Sequence, residues 1–206
     1  MRERIGMKQN KMKVIGLAGG VGTGKSTVAT LLEKEYAAFV IMADKIGHLA
    51  MEPGTDTYEK IVVLFGQEVL NEDKTVDRKK VSDLVFSNPV LLQQLNQIIH
   101  PFVEQFIKNE IERIRKAGKY SYFFIESAIL IETGYQSVCD EIWVVQTEEL
   151  IRRKRLKQSR GYSDEKIDEI MAKQMGEKEL CSYADKILIN NGSIEEIKEQ
   201  LENLLV

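Results

Sequence analysis

One eight-residue stretch constrains this chain more than any other: Gly19-Gly20-Val21-Gly22-Thr23-Gly24-Lys25-Ser26. It matches the pattern G-x-x-x-x-G-K-[ST], and its flanks supply the context that pattern requires. Before it, Val14-Ile15-Gly16-Leu17-Ala18 is a short apolar run that reads as a buried parallel strand. After it, 27–34 reads as an amphipathic helix. Strand, glycine loop and helix start together form a nest of backbone N–H groups aimed at an anion. Lys25 is then expected to bridge the β- and γ-phosphates of a nucleotide, and the Ser26 hydroxyl to ligate Mg²⁺.

The chain has 206 residues, enough for one domain with an inserted subdomain. A net charge of −3 gives no bulk attraction to nucleic acid or to a membrane surface. No apolar run approaches the roughly 18 residues of a membrane span. The polar, mostly basic start does not read as a signal peptide, and residues 1–11 read as a disordered extension. Cys139 and Cys181 lie far apart without C-x-x-C spacing, which suits buried, inert thiols in a reducing cytoplasm.

Along the chain, 36–42 reads as a second strand, followed by Ala43-Asp44 and a short helix over 45–51. An acid at the carboxyl end of a parallel strand is where open α/β sheets place chemistry, although Asp44 also reads as a helix N-cap. Residues 57–118 are mainly helical in pattern, with Tyr58, Ile61, Val62 and Phe65 on one face and Leu91, Leu95, Ile98 and Ile99 on another. His100-Pro101 is expected to interrupt the second pattern, with the histidine read as a capping or packing residue. Further strands are expected over 120–126, again ending in an acid at Glu126, and over 141–145 and 186–189. Ser193 and Glu196 form a capping box for a last helix. Alternating strands and helices imply a three-layer α/β/α fold around a parallel sheet.

The densest charge run is Arg152-Arg153-Lys154-Arg155-Leu156-Lys157-Gln158-Ser159-Arg160. A solvated helix face or a nucleic-acid patch would account for it, but the chain is acidic overall and no aromatic residues interleave the run. In a protein with a phosphate-binding loop, such a helix reads as a lid that sets guanidinium groups over a transferring phosphoryl group. A regulatory GTPase would carry N/T-K-x-D, which is absent; Asp44-Lys45-Ile46-Gly47 follows Ser26 too soon to be a switch loop. Acids at two strand ends and a basic lid fit a metabolite kinase, with a nucleoside or nucleotide kinase as the alternative acceptor class.

These residues resemble the dephospho-coenzyme A kinase family from about Met12 to the C-terminus. The resemblance rests on the P-loop and Thr27, Ala43-Asp44, Glu52-Pro53-Gly54, Asp77-Arg78, Ile99-His100-Pro101, the 126–132 stretch, Arg155, Gln174, Ala184-Asp185 and Asn190-Asn191-Gly192. It implies ATP-dependent phosphorylation of the ribose 3′-hydroxyl of dephospho-CoA on a nucleoside-monophosphate-kinase-like fold with a five-stranded parallel sheet. The implied core is 12–56, 119–150 and 184–206, with a helical CoA-binding insertion over 57–118 and a lid over 151–183. It assigns the nucleotide to Gly20, Val21, Gly22, Thr23, Gly24, Lys25, Ser26, Thr27, Arg155 and Asn191. It also implies that Asp44, Lys25 and Arg155 carry catalysis, with Asp44, Arg78, His100, Glu126 and Leu130 on the acceptor substrate.

The chain departs from the family pattern at four places. Ala18 stands where a Thr or Ser often precedes the glycines, and Met42 replaces the first Asp of D-A-D, leaving Asp44 as the one acid there. Ala128 replaces a motif proline, and the lid reads Ser159-Arg160 where R-D is usual.

Overall fold

A computed structural model of the chain describes residues 12–86 and 88–205. The proposed extension over residues 1–11 lies outside them. Five strands, β1 (Lys13–Ala18), β2 (Ala38–Met42), β3 (Tyr122–Glu126), β4 (Glu141–Gln146) and β5 (Lys186–Ile189), form one parallel sheet in the order β2-β3-β1-β4-β5. The central position of β1 follows from its composition, since Val14 to Ala18 are all buried and a strand covered on both faces must be apolar throughout. It pairs with β3 through Ile15↔Phe124 and Leu17↔Glu126, and with β4 through Leu17↔Trp143. Helix α1 (Lys25–Glu35) leaves directly from the loop after β1 and buries Val28, Ala29, Leu31 and Leu32.

The chain divides into two compact units. The first joins the residues up to Ile41 to those from Ile111 onward. Its core packs Ile15, Leu17, Leu32, Phe124, Trp143 and Leu188 against Ile197 and Leu201 of α9 (Ile194–Leu204). Phe124 and Trp143 meet edge to face with ring centroids 5.4 Å apart. The expected capping box is present at α9: Ser193 accepts the Glu196 N–H, and the Glu196 carboxylate accepts the Ser193 N–H.

The second unit, Met42–Glu110, is helical. It holds α2 (Ala43–Leu49), α3 (Asp56–Phe65), α4 (Arg78–Phe86) and most of α5 (Pro89–Ala117) around Ile61, Phe65, Val69, Val76, Val81 and Leu95. Thr55 caps α3 by accepting the Tyr58 N–H at 3.0 Å. Asn71 to Lys74 form a turn, closed by an antiparallel bridge between Leu70 and Val76.

The expected interruption at His100-Pro101 does not occur: α5 runs unbroken through Pro101 for 29 residues. Proline there forfeits one helical hydrogen bond, a cost of about 3 kcal/mol. Pro101 is exposed, so the Gln97 carbonyl it leaves behind can be hydrated. Leu95, Val103 and Ile107 are at most 6% exposed, and burying each contributes about 1.5–3 kcal/mol. Packing on both sides of the proline therefore outweighs the lost bond.

Candidate active site

Several side chains bind the carbonyls of the loop between β1 and α1. Lys25, the first residue of α1, is 7% exposed. Its ammonium group donates to the carbonyls of Gly19 at 2.7 Å and Gly20 at 3.2 Å. A buried cation also needs a counter-charge. Glu126 supplies it from the end of β3, with Oε1 4.0 Å from Lys25 Nζ. The strand-end acid read from the sequence thus sits beside the loop lysine, because β1 and β3 are neighbours in register.

The Thr23 carbonyl is engaged by side chains from outside the loop. Asn190 Nδ2 donates to it at 2.7 Å, and Thr147 Oγ lies 3.0 Å away. Gly24 follows with φ 87°, in the left-handed region. A Cβ there would lie 2.2 Å from Asn190 Nδ2, so backbone conformation and contact both require glycine.

The basic run forms α6 (Glu149–Arg160) and separates into two faces by helical period. Arg153 and Lys157 turn to the acids of α7 (Asp164–Ala172). Lys157 meets Asp164 at 2.8 Å, and Arg153 pairs with Asp168 and with Glu149 on its own helix. Arg152 and Arg155, three residues apart, turn to the loop. Arg152 Nε donates to the Val21 carbonyl at 3.0 Å, with its side chain 11% exposed. Arg155 Nη1 reaches the Thr23 carbonyl and Nη2 the Asn190 carboxamide oxygen, both at 3.5 Å. Arg160 lies over the Tyr162 ring at 5.8 Å. The second guanidinium on the loop is therefore Arg152, which the sequence reading passed over within the run; the three-residue spacing from Arg155 was the signal.

Gln174, between α7 and α8 (Glu177–Ser182), accepts the Val21 N–H at 2.9 Å. Val21 is thus gripped at both ends of its peptide groups, by Gln174 and Arg152. A cavity of about 280 Å³ opens beside them, lined by Gly20, Thr23, Arg152, Gln174, Glu177 and Leu180.

Two residues that the resemblance puts in contact with ligands are engaged within the protein. Asn191 exchanges hydrogen bonds with Glu148, at 2.9 Å to its N–H and 3.0 Å to its carboxylate, whereas its neighbour Asn190 reaches the loop. Leu130 is 1% exposed and packs on β1 at Gly16, where a Cβ would come within 2.5 Å of it. Ser26 and Thr27, by contrast, are exposed in the first turn of α1.

Among the described residues no cluster of three or more His, Cys, Asp or Glu side chains could cage a metal. Mg²⁺ needs no such cage: one or two protein oxygens suffice, and substrate phosphates and water complete the octahedron. The Ser26 hydroxyl, at the rim of a phosphate-binding loop, fits that role.

In the second unit, β2 ends at Met42, which occupies the N-cap position of α2 without a side-chain cap bond. Asp44 is therefore not the cap; it stands exposed in the first turn. Arg78 opens α4 and is exposed beside Lys79, with Asp77 capping the helix through the N–H groups of Lys79 and Lys80. Arg78, Lys79 and His48 line a cavity of about 490 Å³. His100 lines a separate groove of about 480 Å³ along α5 with Leu92, Asn96 and Gln97, and burial pulls its imidazole below the ordinary pKa.

Both cysteines are free thiols, and burial together with Asp140 pushes Cys139 up to about 12, so it is unreactive at neutral pH.

A glycine loop at the end of a central parallel strand, its lysine paired with a neighbouring strand-end acid and two guanidinium groups laid on it, defines a P-loop nucleotide-binding protein of the small-kinase type. The comparisons narrow that class. The sequence profile of the dephospho-CoA kinase family matches residues 13–196, and the chain belongs to that family. It is 37% identical over 195 residues to the dephospho-CoA kinase of Carboxydothermus hydrogenoformans, covering 94% of this chain and 93% of the relative. A crystal structure from Thermus thermophilus superposes with a TM-score of 0.81 at 29% identity, covering 94% of this chain and 96% of that one. A dephospho-CoA kinase from Campylobacter jejuni superposes with a TM-score of 0.68 at 26% identity, covering 93% and 96%.

Proposed function

We infer that this chain transfers the γ-phosphoryl group of ATP to the ribose 3′-hydroxyl of dephospho-CoA, giving coenzyme A and ADP. The observation that carries this reading is the family match along nearly the whole chain, centred on the loop described above. In this reading loop N–H groups, that of Gly24 among them, cradle the β- and γ-phosphates, while the Val21 N–H stays with Gln174. Lys25 leaves the Gly19 and Gly20 carbonyls for the phosphate oxygens. Ser26 would hold Mg²⁺, which supplies further charge neutralisation between those phosphates.

A ribose hydroxyl is a poor nucleophile until its proton is accepted. Asp44 is the carboxylate proposed for that step, on the strength of its motif and its exposure at the start of α2. As the oxygen–phosphorus bond forms and the bond to ADP breaks, negative charge spreads over the transferring group. Arg155, which reaches the Thr23 carbonyl, would oppose that charge, and Arg152, on the Val21 carbonyl from the same face of α6, would join it. Glu126 acts on the nucleotide side by balancing Lys25. Arg78 and His100 are assigned to the acceptor. No helix of the described residues is long and apolar enough to cross a membrane. A cytoplasmic site of action is proposed from membership of a family of metabolic enzymes.

The test supplies Mg-ATP with dephospho-CoA, adenosine or shikimate in parallel and measures ADP. ADP is expected with dephospho-CoA; its formation with another acceptor, and not with dephospho-CoA, contradicts the assignment.

A further inference from the structure

We infer that Thr147 and Asn190 are positioning residues for the phosphoryl donor: together they lock the Thr23–Gly24 peptide so that its N–H is presented to the phosphates. This rests on reading the loop as the ATP site. Thr147 follows β4 and Asn190 follows β5, so two adjacent strands deliver them to one point. Asn190 is tied there by its own N–H, which donates to the Gln146 carbonyl at 2.8 Å.

Both side chains are buried, Thr147 at 0% and Asn190 at 7% exposure. Polar groups so placed must find partners, and here they share one. Asn190 Nδ2 donates to the Thr23 carbonyl at 2.7 Å. Thr147 Oγ lies 3.0 Å from that oxygen and 3.1 Å from the Asn190 carbonyl, so its single proton serves the two in alternation. Valine or leucine would fill the same space if packing were the whole purpose, but would leave the Thr23 carbonyl short of donors.

The consequence for the loop follows from peptide geometry. A trans peptide is planar, with C=O and N–H on opposite sides, and no described peptide bond is cis. Fixing the Thr23 carbonyl outward therefore fixes the Gly24 N–H on the inner side of the loop. Donors to the carbonyl also polarise the peptide and strengthen its N–H as a donor in turn. The other loop carbonyls are held by Lys25, Thr23 and Arg152, which are part of the loop or of the helix laid on it. The Thr147–Asn190 pair is the one fixture in this set that comes from the sheet loops beneath.

The experiment compares wild type, Thr147→Val, Thr147→Ser and Asn190→Asp for ADP and AMP affinity by calorimetry, with Tm recorded alongside. Thr147→Val is expected to weaken ADP binding about 10-fold, the size of one buried hydrogen bond. AMP affinity should hardly move, Tm should fall only by the few degrees that one buried hydrogen bond is worth, and Thr147→Ser should restore ADP binding. Asn190→Asp turns a donor into an anion facing the Thr23 carbonyl and is expected to cost about 100-fold in ADP affinity. Unchanged ADP affinity in both Thr147→Val and Asn190→Asp overturns the inference. So do parallel losses for ADP and AMP with a larger fall in Tm, which would make the pair merely structural. If Thr147→Val fails to fold, Asn190→Asp carries the same readouts by itself. Wild-type protein that binds no ADP refutes the donor-site reading itself, a result distinct from the other two.

Discussion

The loop surroundings in the first unit and the helix starts of the second differ in how completely their polar groups are prepared. Around the loop, Lys25, Glu126, Thr147 and Asn190 are at most 7% exposed, and their partners include loop carbonyls and one another. In the second unit, Asp44, Arg78 and Lys79 are exposed side chains at the first turns of α2 and α4. Fixed dipoles stabilise developing charge without reorganising at the moment of reaction, and the loop, the proposed donor side, has them built in. The second unit, the proposed acceptor side, offers accessible groups whose contribution depends on what they meet. Damage to the first set should therefore register in nucleotide affinity and rate together, and damage to the second in turnover or in the stability of its own unit.

The sharpest strain on that comparison is Lys25→Ala. It removes the cation that the γ-phosphate would meet and the charge beside Glu126, so kcat/KM should fall about 10³-fold, with weaker ADP binding by calorimetry. Arg155→Ala comes next. Its 3.5 Å contacts to the loop are long, which fits a guanidinium group that tightens only around the transition state. A loss of about 10²-fold in kcat with ADP affinity little changed is expected from steady-state kinetics. Equal losses in both would move Arg155 into the ground-state binding set.

The smallest effect lies in the second unit. Burial holds the folded His100 below its ordinary pKa, so the unfolded chain binds the proton more readily. The stability this contributes is fully present above the unfolded value of about 6.5 and is lost as pH falls through the lower folded value. Urea midpoints should therefore drop on acidification across that window, and His100→Gln should reduce the slope while leaving ADP affinity alone.

The parts of this architecture legible in the sequence are those set by local chemistry. The glycine loop declares its own backbone needs, β5 coincides with the apolar run 186–189, and Ser193 with Glu196 satisfies its helix start within four residues. What escaped depends on neighbours distant in the chain. Nothing local distinguishes Asn190 from Asn191; only the register of β5 beside β4 decides which amide faces Thr23 and which faces Glu148. Arg152 was hidden in a run of like charges until the helix showed which cations lacked an acid on α7 and faced the loop instead. Pro101 misled because the local rule omits the apolar residues that anchor α5 on either side of it.

The division between the two sides is tested most directly by Asp44→Asn, measured for ATP affinity by calorimetry and for turnover with dephospho-CoA. The account predicts an unchanged ATP Kd and a kcat reduced about 10²- to 10⁴-fold, the range of a lost general base. A parallel loss of ATP affinity and rate, or turnover that survives intact, would contradict it.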